Sequence, residues 1–360
     1  MCNVFFYYYM FSLVFSYCLI VTANIPLVKD SWYTENMMSM KGNDKSIIFH
    51  IDVNSAYLSW TALDELDKGS EVDLRTIPSI IGGDIQSRHG VVLAKSIPAK
   101  AYHIKTGEPV MTALRKCPGL AMHKPDHALY SRRSHELMAY LKSVCPDIEQ
   151  VSIDECYLDY TPICHQFPDP VSAASMIKDT VRDRFGFTVN VGISNRKVLA
   201  KMASDFEKPD KVHTLYSWEI QEKMWPLPVS RLFSCGASSV DTLRKLEILT
   251  IGDLARADVH ILELHLKSHG HTLWEFANGV DDSRVLSVRE DAKGIGNSST
   301  FSQNVVTCDA AHRELLILSE SVCRRLRQAG KRASMISVEI KYSDFRMSSQ
   351  IVRSEERRVG

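Results

Sequence analysis

From Ser46 onward the chain alternates short apolar runs with stretches of helical spacing, which predicts a mixed α/β body. Ser46-Ile-Ile-Phe-His-Ile-Asp52 reads as a strand that delivers a carboxylate to a sheet edge, and the residues after Asn54 read as a helix through Lys68 that stops at Gly69. Between Glu71 and Pro125 the pattern is broken by Pro78, Gly82-Gly83, Gly90, Pro98, Gly107, Pro109 and Pro118-Gly119, so short strands and helices of a small insertion are expected. Helical spacing returns from Ser131 to Val144, and Ile148 to Asp159 alternates like a hairpin. Ser172 to Phe185 lines up Ala174, Ile177, Val181 and Phe185 on one helix face before Gly186, and Phe187 to Ile193 is a further strand. Without the insertion, this order approaches the split β-α-β of a ferredoxin-like sheet, whose first and third strands lie side by side.

Beyond Lys208 the texture changes. Trp225 to Gly236 holds two prolines, a helix is expected from about Ser238 to Leu246, and Thr250-Ile-Gly-Asp-Leu-Ala255 follows. Ser299 to Val305 reads as a strand and Ala310 to Ala329 as a helix ended by Gly330. Ser334 to Ser343 reads as a strand, because Ile336, Val338, Ile340 and Tyr342 alternate with Ser337, Glu339, Lys341 and Ser343.

The two ends do not follow the pattern. The first 28 residues hold no Lys, Arg, Asp or Glu, and Val4 to Thr22 has the composition of a membrane span. The first cation, Lys29, lies behind that stretch, which disfavours a secretory signal. Residues 1–45 are therefore expected to be an extension, either upstream of a true start at Met37, Met38 or Met40 or serving as a single anchor. At the other end, Arg353 to Gly360 follows abruptly on a strand-like stretch. It reads as a translated sequencing adapter or a solvated charged tail, with the native segment ending near Val352.

Lys+Arg 43 against Asp+Glu 43, with 45% hydrophobic and 24% charged residues in 360, exclude a disordered or collagen-like chain and allow two to four domains. The balance also speaks against holding nucleic acid by bulk positive potential, but it conceals a local excess. Between His312 and Arg346 there are eight basic residues and four acidic ones, a patch suited to a phosphate backbone or to an ordinary charged helix surface. Nine cysteines without a C-x-x-C pair fit reduced thiols of a cytoplasmic protein rather than a disulfide framework or zinc site.

The candidate chemistry is carboxylate chemistry. Asp52 ends the first strand, and Asp154-Glu155 lies in the later strand pair, which the ferredoxin-like order would bring alongside it. Acids converging from rigid strands can share two divalent ions that stabilise the attacking and leaving oxygens of a phosphoryl transfer. Neighbouring strand residues point to opposite faces, so Asp154 and Glu155 can converge only where the backbone bends. An isolated Asp-Glu pair is a weak signal, more often found on a solvated loop.

Several spaced motifs sharpen it. Asp52-Val-Asn-Ser-Ala-Tyr57, Gly82-Gly83-Asp84 with Val92-Leu-Ala-Lys-Ser96, Ser152-Ile-Asp-Glu-Cys-Tyr-Leu-Asp159 and Val191-Gly-Ile-Ser-Asn-Arg-Lys-Val-Leu-Ala-Lys201 occur in this order. They are followed by Lys208-Pro209, Ala277-Asn-Gly-Val-Asp-Asp282 and Tyr342-Ser-Asp-Phe-Arg346. Together they resemble the Y-family translesion DNA polymerases of the bacterial polymerase IV branch, over about residues 46–352.

The resemblance implies a right-hand α/β (α+β) polymerase: a ferredoxin-like palm over 46–70 and 126–206, fingers over 71–125, a helix-hairpin-helix thumb over 207–284 and a little finger over 285–352 that is incomplete. It implies two Mg²⁺ ions held by Asp52, Asp154 and Glu155 with the carbonyl of Val53, and Tyr57 as a steric gate against the 2′-OH of the incoming nucleotide. Lys208 would meet the triphosphate, and so would Lys100, where the family commonly has Arg and a lysine lacks the bidentate fork. Ile97 stands where Tyr is common, and Asn54 where many members carry a second Asp. Lys197 and Lys201, four apart on one helix, are expected near phosphate. In the thumb, Gly236 would approach a DNA phosphate, while Ser234 and Glu247 replace glycines.

In the little finger, Arg324, Arg325, Lys331, Arg332 and Arg346 are the DNA-contacting candidates. The implied partners are primer-template DNA and dNTPs, with a sliding clamp reached through a C-terminal peptide that this sequence lacks; no membrane is expected. Two other readings stay open from the residues: a palm-type nucleotide cyclase, which would not need the duplex-binding segments, and a DNA-binding protein without polymerase activity.

Overall fold

The computed structural model describes residues 46–83, 90–167, 169–288, 292–301 and 304–353. The expectations for residues 1–45, Asp84 and residues 354–360 lie outside the described residues.

The chain opens with β1 (Ile48–Val53), buried along its whole length, and α1 (Ala56–Asp67). The insertion contributes β2 (Ser79–Gly82), β3 (Val92–Lys95), the single-turn helix α2 (Ile97–Lys100), α3 (Val110–Lys116) and β4 (Ala121–His123). These strands form a three-stranded sheet of order β3-β2-β4 around a small core that includes Ile80, Val92, Ile104 and Val110. Most of the Pro and Gly residues that interrupt its pattern fall between these short elements, while Gly82 ends β2 and Pro98 stands in the first turn of α2.

Next come α4 (His127–Val144), β5 (Ile148–Gln150), β6 (Glu155–Asp159), α5 (Pro170–Phe185), β7 (Val189–Ser194), α6 (Lys197–Ser204) and β8 (Val212–Thr214). Two of these helices start earlier than hydrophobic spacing suggests, because side-chain caps set their first turns. Asp126 Oδ1 accepts from the amides of Ala128 and Leu129 at 3.0 Å each, and Asp169 caps α5 just before Pro170, a residue suited to the first helical position.

The strands form a sheet of order β5-β6-β1-β7-β8. β1 runs antiparallel to both β6 and β7, and β8 adds parallel to β7. The first and third strands of the split β-α-β are therefore adjacent, as the element order predicts. Ile48 packs with Tyr157 and Ala200, and His50 bonds to Ser204, so strand alternation puts Ile48, His50 and Asp52 on the face covered by α6.

The next segment carries α7 (Ala237–Lys245), α8 (Ile251–Arg256), α9 (Val259–Leu266) and α10 (Ser268–Ala277). Its apolar core, including Leu232, Leu243, Leu254 and Leu273, is continuous with Val198, Leu199 and Met202 of α6. One helix thus serves both the sheet and this helical segment.

The last elements are α11 (Cys308–Gln328), β9 (Met335–Lys341) and β10 (Met347–Arg353). β9 and β10 form an antiparallel hairpin, closed by Tyr342 donating its amide to the Arg346 carbonyl at 2.9 Å. No residue of α11, β9 or β10 is buried. The strand expected over Ser299 to Val305 does not form among the described residues there. The segment is apolar only at Phe301 and Val305, too sparse a pattern to hold a ladder without a partner strand.

Candidate active site at one end of the five-stranded sheet

The register places Asp52 of β1 directly opposite Glu155 of β6 and, on its other side, Asn190 of β7. Asp154 immediately precedes β6, in a bend. The Val53 amide donates to the Asp154 carbonyl at 3.0 Å, and Ser152 Oγ donates to Asp154 Oδ1 at 2.6 Å. That bend interrupts the strict alternation of the strand, and the register sets Asp52 opposite Glu155, with Asp154 one residue before it, at one end of the sheet although about a hundred residues separate them in sequence.

Each of two carboxylates is matched by a lysine. Lys208 Nζ contacts Asp52 Oδ2 and lies 2.7 Å from Asp205 Oδ1. Burial pushes the Asp52 carboxyl up to about 6, against the pull of Lys208. Glu155 is held well below the usual carboxylate range by His50 and Lys201. Lys201 Nζ is 2.7 Å from Glu155 Oε1, whereas His50 Nε2 is 3.8 Å from Oε2, beyond hydrogen-bond reach, so the ammonium is the closer partner. Burial lowers the pKa of His50. Ser204 Oγ donates to the Lys201 carbonyl at 2.8 Å, which leaves its lone pairs to accept from His50 Nδ1 at 2.8 Å.

A cavity of ≈ 140 Å³ opens beside Asp52, and Val53, Lys100 and Lys208 line it with Arg75 and Ile97. It brings together four of the sequence-predicted residues. Tyr57 stands in the first turn of α1, stacked on Tyr130 with centroids 4.3 Å apart and planes 6° apart. Burial and the charge of Asp154 raise the pKa of its phenol.

Among the described residues no three His, Cys, Asp or Glu side chains stand close enough to hold one ion as they are. Lysines contact two of the carboxylates instead. The donor set nevertheless suits a hard divalent cation, since Asp52, Asp154, Glu155 and the Val53 carbonyl offer only oxygen, and a buried carboxylate such as Asp52 requires a positive partner.

Lys197 and Lys201 share a face of α6, and each is paired with a carboxylate of a neighbouring strand. Lys197 Nζ is 2.8 Å from both Glu149 carboxylate oxygens and lies over the Tyr157 ring at 4.7 Å. Both lysines are spent on carboxylates of the adjoining strands, which short spacing along a helix cannot reveal.

Gly236 is the N-cap of α7, with nothing within 4 Å of where a Cβ would stand. Ser234 (φ 69°) and Glu247 (φ 60°) both adopt the left-handed backbone that glycine favours. Glu247 ends α7 in a Schellman arrangement: its amide donates to the Arg244 carbonyl and that of Ile248 to the Leu243 carbonyl, each at 3.0 Å. The turn geometry thus survives the loss of both glycines. Arg324, Arg325, Lys331, Arg332 and Arg346 are all exposed. Arg325 donates to the Gly296 carbonyl at 2.7 Å and Arg346 pairs with Asp344 at 2.6 Å.

Sequence reasoning missed Arg75, held by Asp73 and by the Gly186 carbonyl at 2.7 Å. It also treated Asn54 only as a missing acid, whereas its carboxamide is a hub between β1, β7 and the segment carrying Lys208. No local pattern signals their place at the site: the Asp73 partner of Arg75 is local, but Gly186 and the side-chain partners of Asn54 are distant in sequence.

A five-stranded sheet with acids at one end, an inserted small sheet and a helical segment packed on α6 is the architecture of a Y-family polymerase. It is similar to a solved Y-family DNA polymerase chimera, Dbh-Dpo4(243-245)-Dbh, with a TM-score of 0.75 and 20% identity over 86% of this chain and 88% of that one. The sequence profile of the impB/mucB/samB family matches residues 51–205, and that of the impB/mucB/samB family C-terminal domain matches 292–358. DNA polymerase IV of Clostridium acetobutylicum is 49% identical over 300 residues, 83% of this chain and 76% of that protein. DNA polymerase IV of Acetivibrio thermocellus is 37% identical over 82% of this chain and 73% of its own length. The chain belongs to the DNA polymerase IV branch of the Y-family, and its C-terminal elements form the little-finger domain of that family. Among the described residues no helix is long and apolar enough to cross a membrane.

Proposed function

We propose that this DNA-directed translesion polymerase joins nucleotides at Asp52, Asp154 and Glu155. The observation that carries the assignment is the register: Asp52 pairs opposite Glu155, with Asp154 in the bend that precedes it, and Asp52 also lines a cavity shared with Lys100 and Lys208. Two Mg²⁺ ions bound by these acids and the Val53 carbonyl would supply charge stabilisation for the attacking 3′ oxygen and the leaving pyrophosphate. Lys208 and Lys100 bind the triphosphate from the same cavity. Tyr57, braced by Tyr130, bars a ribose 2′-OH by bulk.

In this reading residues 46–70 and 126–206 are the palm, 71–125 the fingers, 207–284 the thumb and 285–352 the little finger. The small core of the fingers and the exposed cations of the little finger suit loose closure over damaged templates and backbone contact with primer-template DNA. Primer extension by the full chain on damaged and undamaged templates tests this. Asp154→Asn and Glu155→Gln should each abolish extension with folding intact; extension unaffected by both overturns the assignment.

A further inference from the structure

The segment that carries Lys208 leaves α6 and returns to the sheet at β8, and two buried carboxamides hold it on both sides of the lysine. Asn54 Oδ1 accepts from the backbone amide of Asp210 at 3.0 Å and from Thr188 Oγ1 at 2.9 Å. Asn190 Nδ2 donates to the backbone carbonyls of Ser204 at 3.0 Å and Glu207 at 2.6 Å. The two side chains meet where Asn54 Nδ2 donates to Asn190 Oδ1 at 3.0 Å, which also receives the Lys211 amide at 3.4 Å.

The orientation of both amides follows from chemistry. A backbone N–H can only donate, so the atom of Asn54 facing Asp210 is its oxygen. A backbone carbonyl can only accept, so the atom of Asn190 facing Ser204 and Glu207 is its nitrogen. The two remaining atoms then match as donor and acceptor, and the network closes without an unpaired group. Glu207 and Asp210, the residues gripped, bracket Lys208 and Pro209.

We propose that the Asn54–Asn190 pair is a positioning device that sets Lys208 against the nucleotide, with Asn54 acting on nucleotide binding through Lys208. This rests on the reading of Lys208 as a triphosphate contact. An aspartate at position 54 could still accept from Asp210 and Thr188, but could not donate to Asn190. The amide donor that links β1 to β7 here is what a carboxylate lacks.

The test uses the full chain with primer-template DNA. Asn54→Ala and Asn190→Ala should each raise KM for the dNTP about tenfold while kcat changes less than about threefold, the signature of lost uniform binding. Hydrogen exchange at the Asp210 amide should accelerate in Asn54→Ala and stay slow in Asn54→Asp, which keeps the acceptor. In a Lys208→Met background, Asn54→Ala should add no further rise in KM. An equal rise in both backgrounds overturns the proposal, as does unchanged Asp210 exchange in Asn54→Ala. If Lys208→Met itself leaves KM unchanged, the triphosphate reading of Lys208 fails, and with it the coupling to nucleotide. The Asp210 exchange then still decides whether the carboxamides clamp the segment. If an alanine variant does not fold, the Asn54→Asp protein carries the same KM test, its smaller rise again expected to vanish beside Lys208→Met.

Discussion

A single methyl group at Gly192 should separate β7 from α6. A Cβ there would lie 2.0 Å from the Ala200 carbonyl oxygen, 2.4 Å from the Ser204 amide nitrogen and 3.0 Å from Ala203 Cβ. The first two are backbone atoms, so no rotamer change can relieve them. Real Cβ contacts essentially never fall below 3.0 Å, and the shortfall requires α6 to retreat by about 1 Å. That helix carries Lys201 against Glu155 and Ser204 against His50, and it leads into the segment bearing Lys208.

Two effects oppose each other in Gly192→Ala. Replacing a strand glycine by alanine normally stabilises by about 0.5–1 kcal/mol through backbone entropy. Overpacking costs about 1–3 kcal/mol, and a clash between rigid backbones belongs at the upper end. The expected net loss is about 2 kcal/mol, or roughly 4–8 °C in Tm for a body of this size. Because a displacement of about 1 Å at a catalytic group can cost up to 100-fold in rate, extension should fall about tenfold or more even where the protein remains folded. Urea denaturation and single-nucleotide primer extension, measured together, provide the check. Stability within about 0.5 kcal/mol of the parent with undiminished extension would refute the close packing of β7 on α6.

Three further outcomes are expected. Tyr57→Ala should raise ribonucleotide incorporation, and Tyr130→Ala should raise it less, by removing a stack worth about 0.5–1.5 kcal/mol that steadies the ring; unchanged sugar selectivity in Tyr57→Ala would remove the gate. Glu247→Gly should stabilise the protein by up to about 1 kcal/mol in thermal unfolding, since it relieves a left-handed residue at a helix end; a loss of stability would contradict the strain assigned there. Replacing Arg324 and Lys331 together by alanine should weaken DNA binding without regard to sequence and reduce the slope of log affinity against log salt by about 2; an unchanged slope would take both residues off the phosphate backbone.

Local pattern was sufficient for much of the fold. The apolar run ending in Asp52 and the run after Phe187 are strands, and helix caps such as Asp126 and Asp169 are visible in sequence even though spacing alone starts α4 too late. The motif around Ser152 to Asp159 placed the acids in a strand pair, and element order placed that pair beside β1.

What the chain could not declare locally is which polar group meets which. Lys201, read as a phosphate contact, belongs to Glu155, 46 residues away. Lys208 reaches Asp52 across 156 residues, and Asn54 reaches Asn190 across 136. Helical and strand periods are properties of consecutive residues, so hydrophobic burial writes them into sequence directly. Pairings among buried polar groups depend on strand register and on the depth at which α6 sits over the sheet, where one residue of slip would turn every side chain to the other face. The sequence by itself therefore determined most of the elements and their order, and it named the acids proposed for the site. Only the tertiary structure decided that lysines contact Asp52 and Glu155 and that two carboxamides hold the segment carrying Lys208, because desolvated charges and amides must find partners wherever the folded backbone brings them.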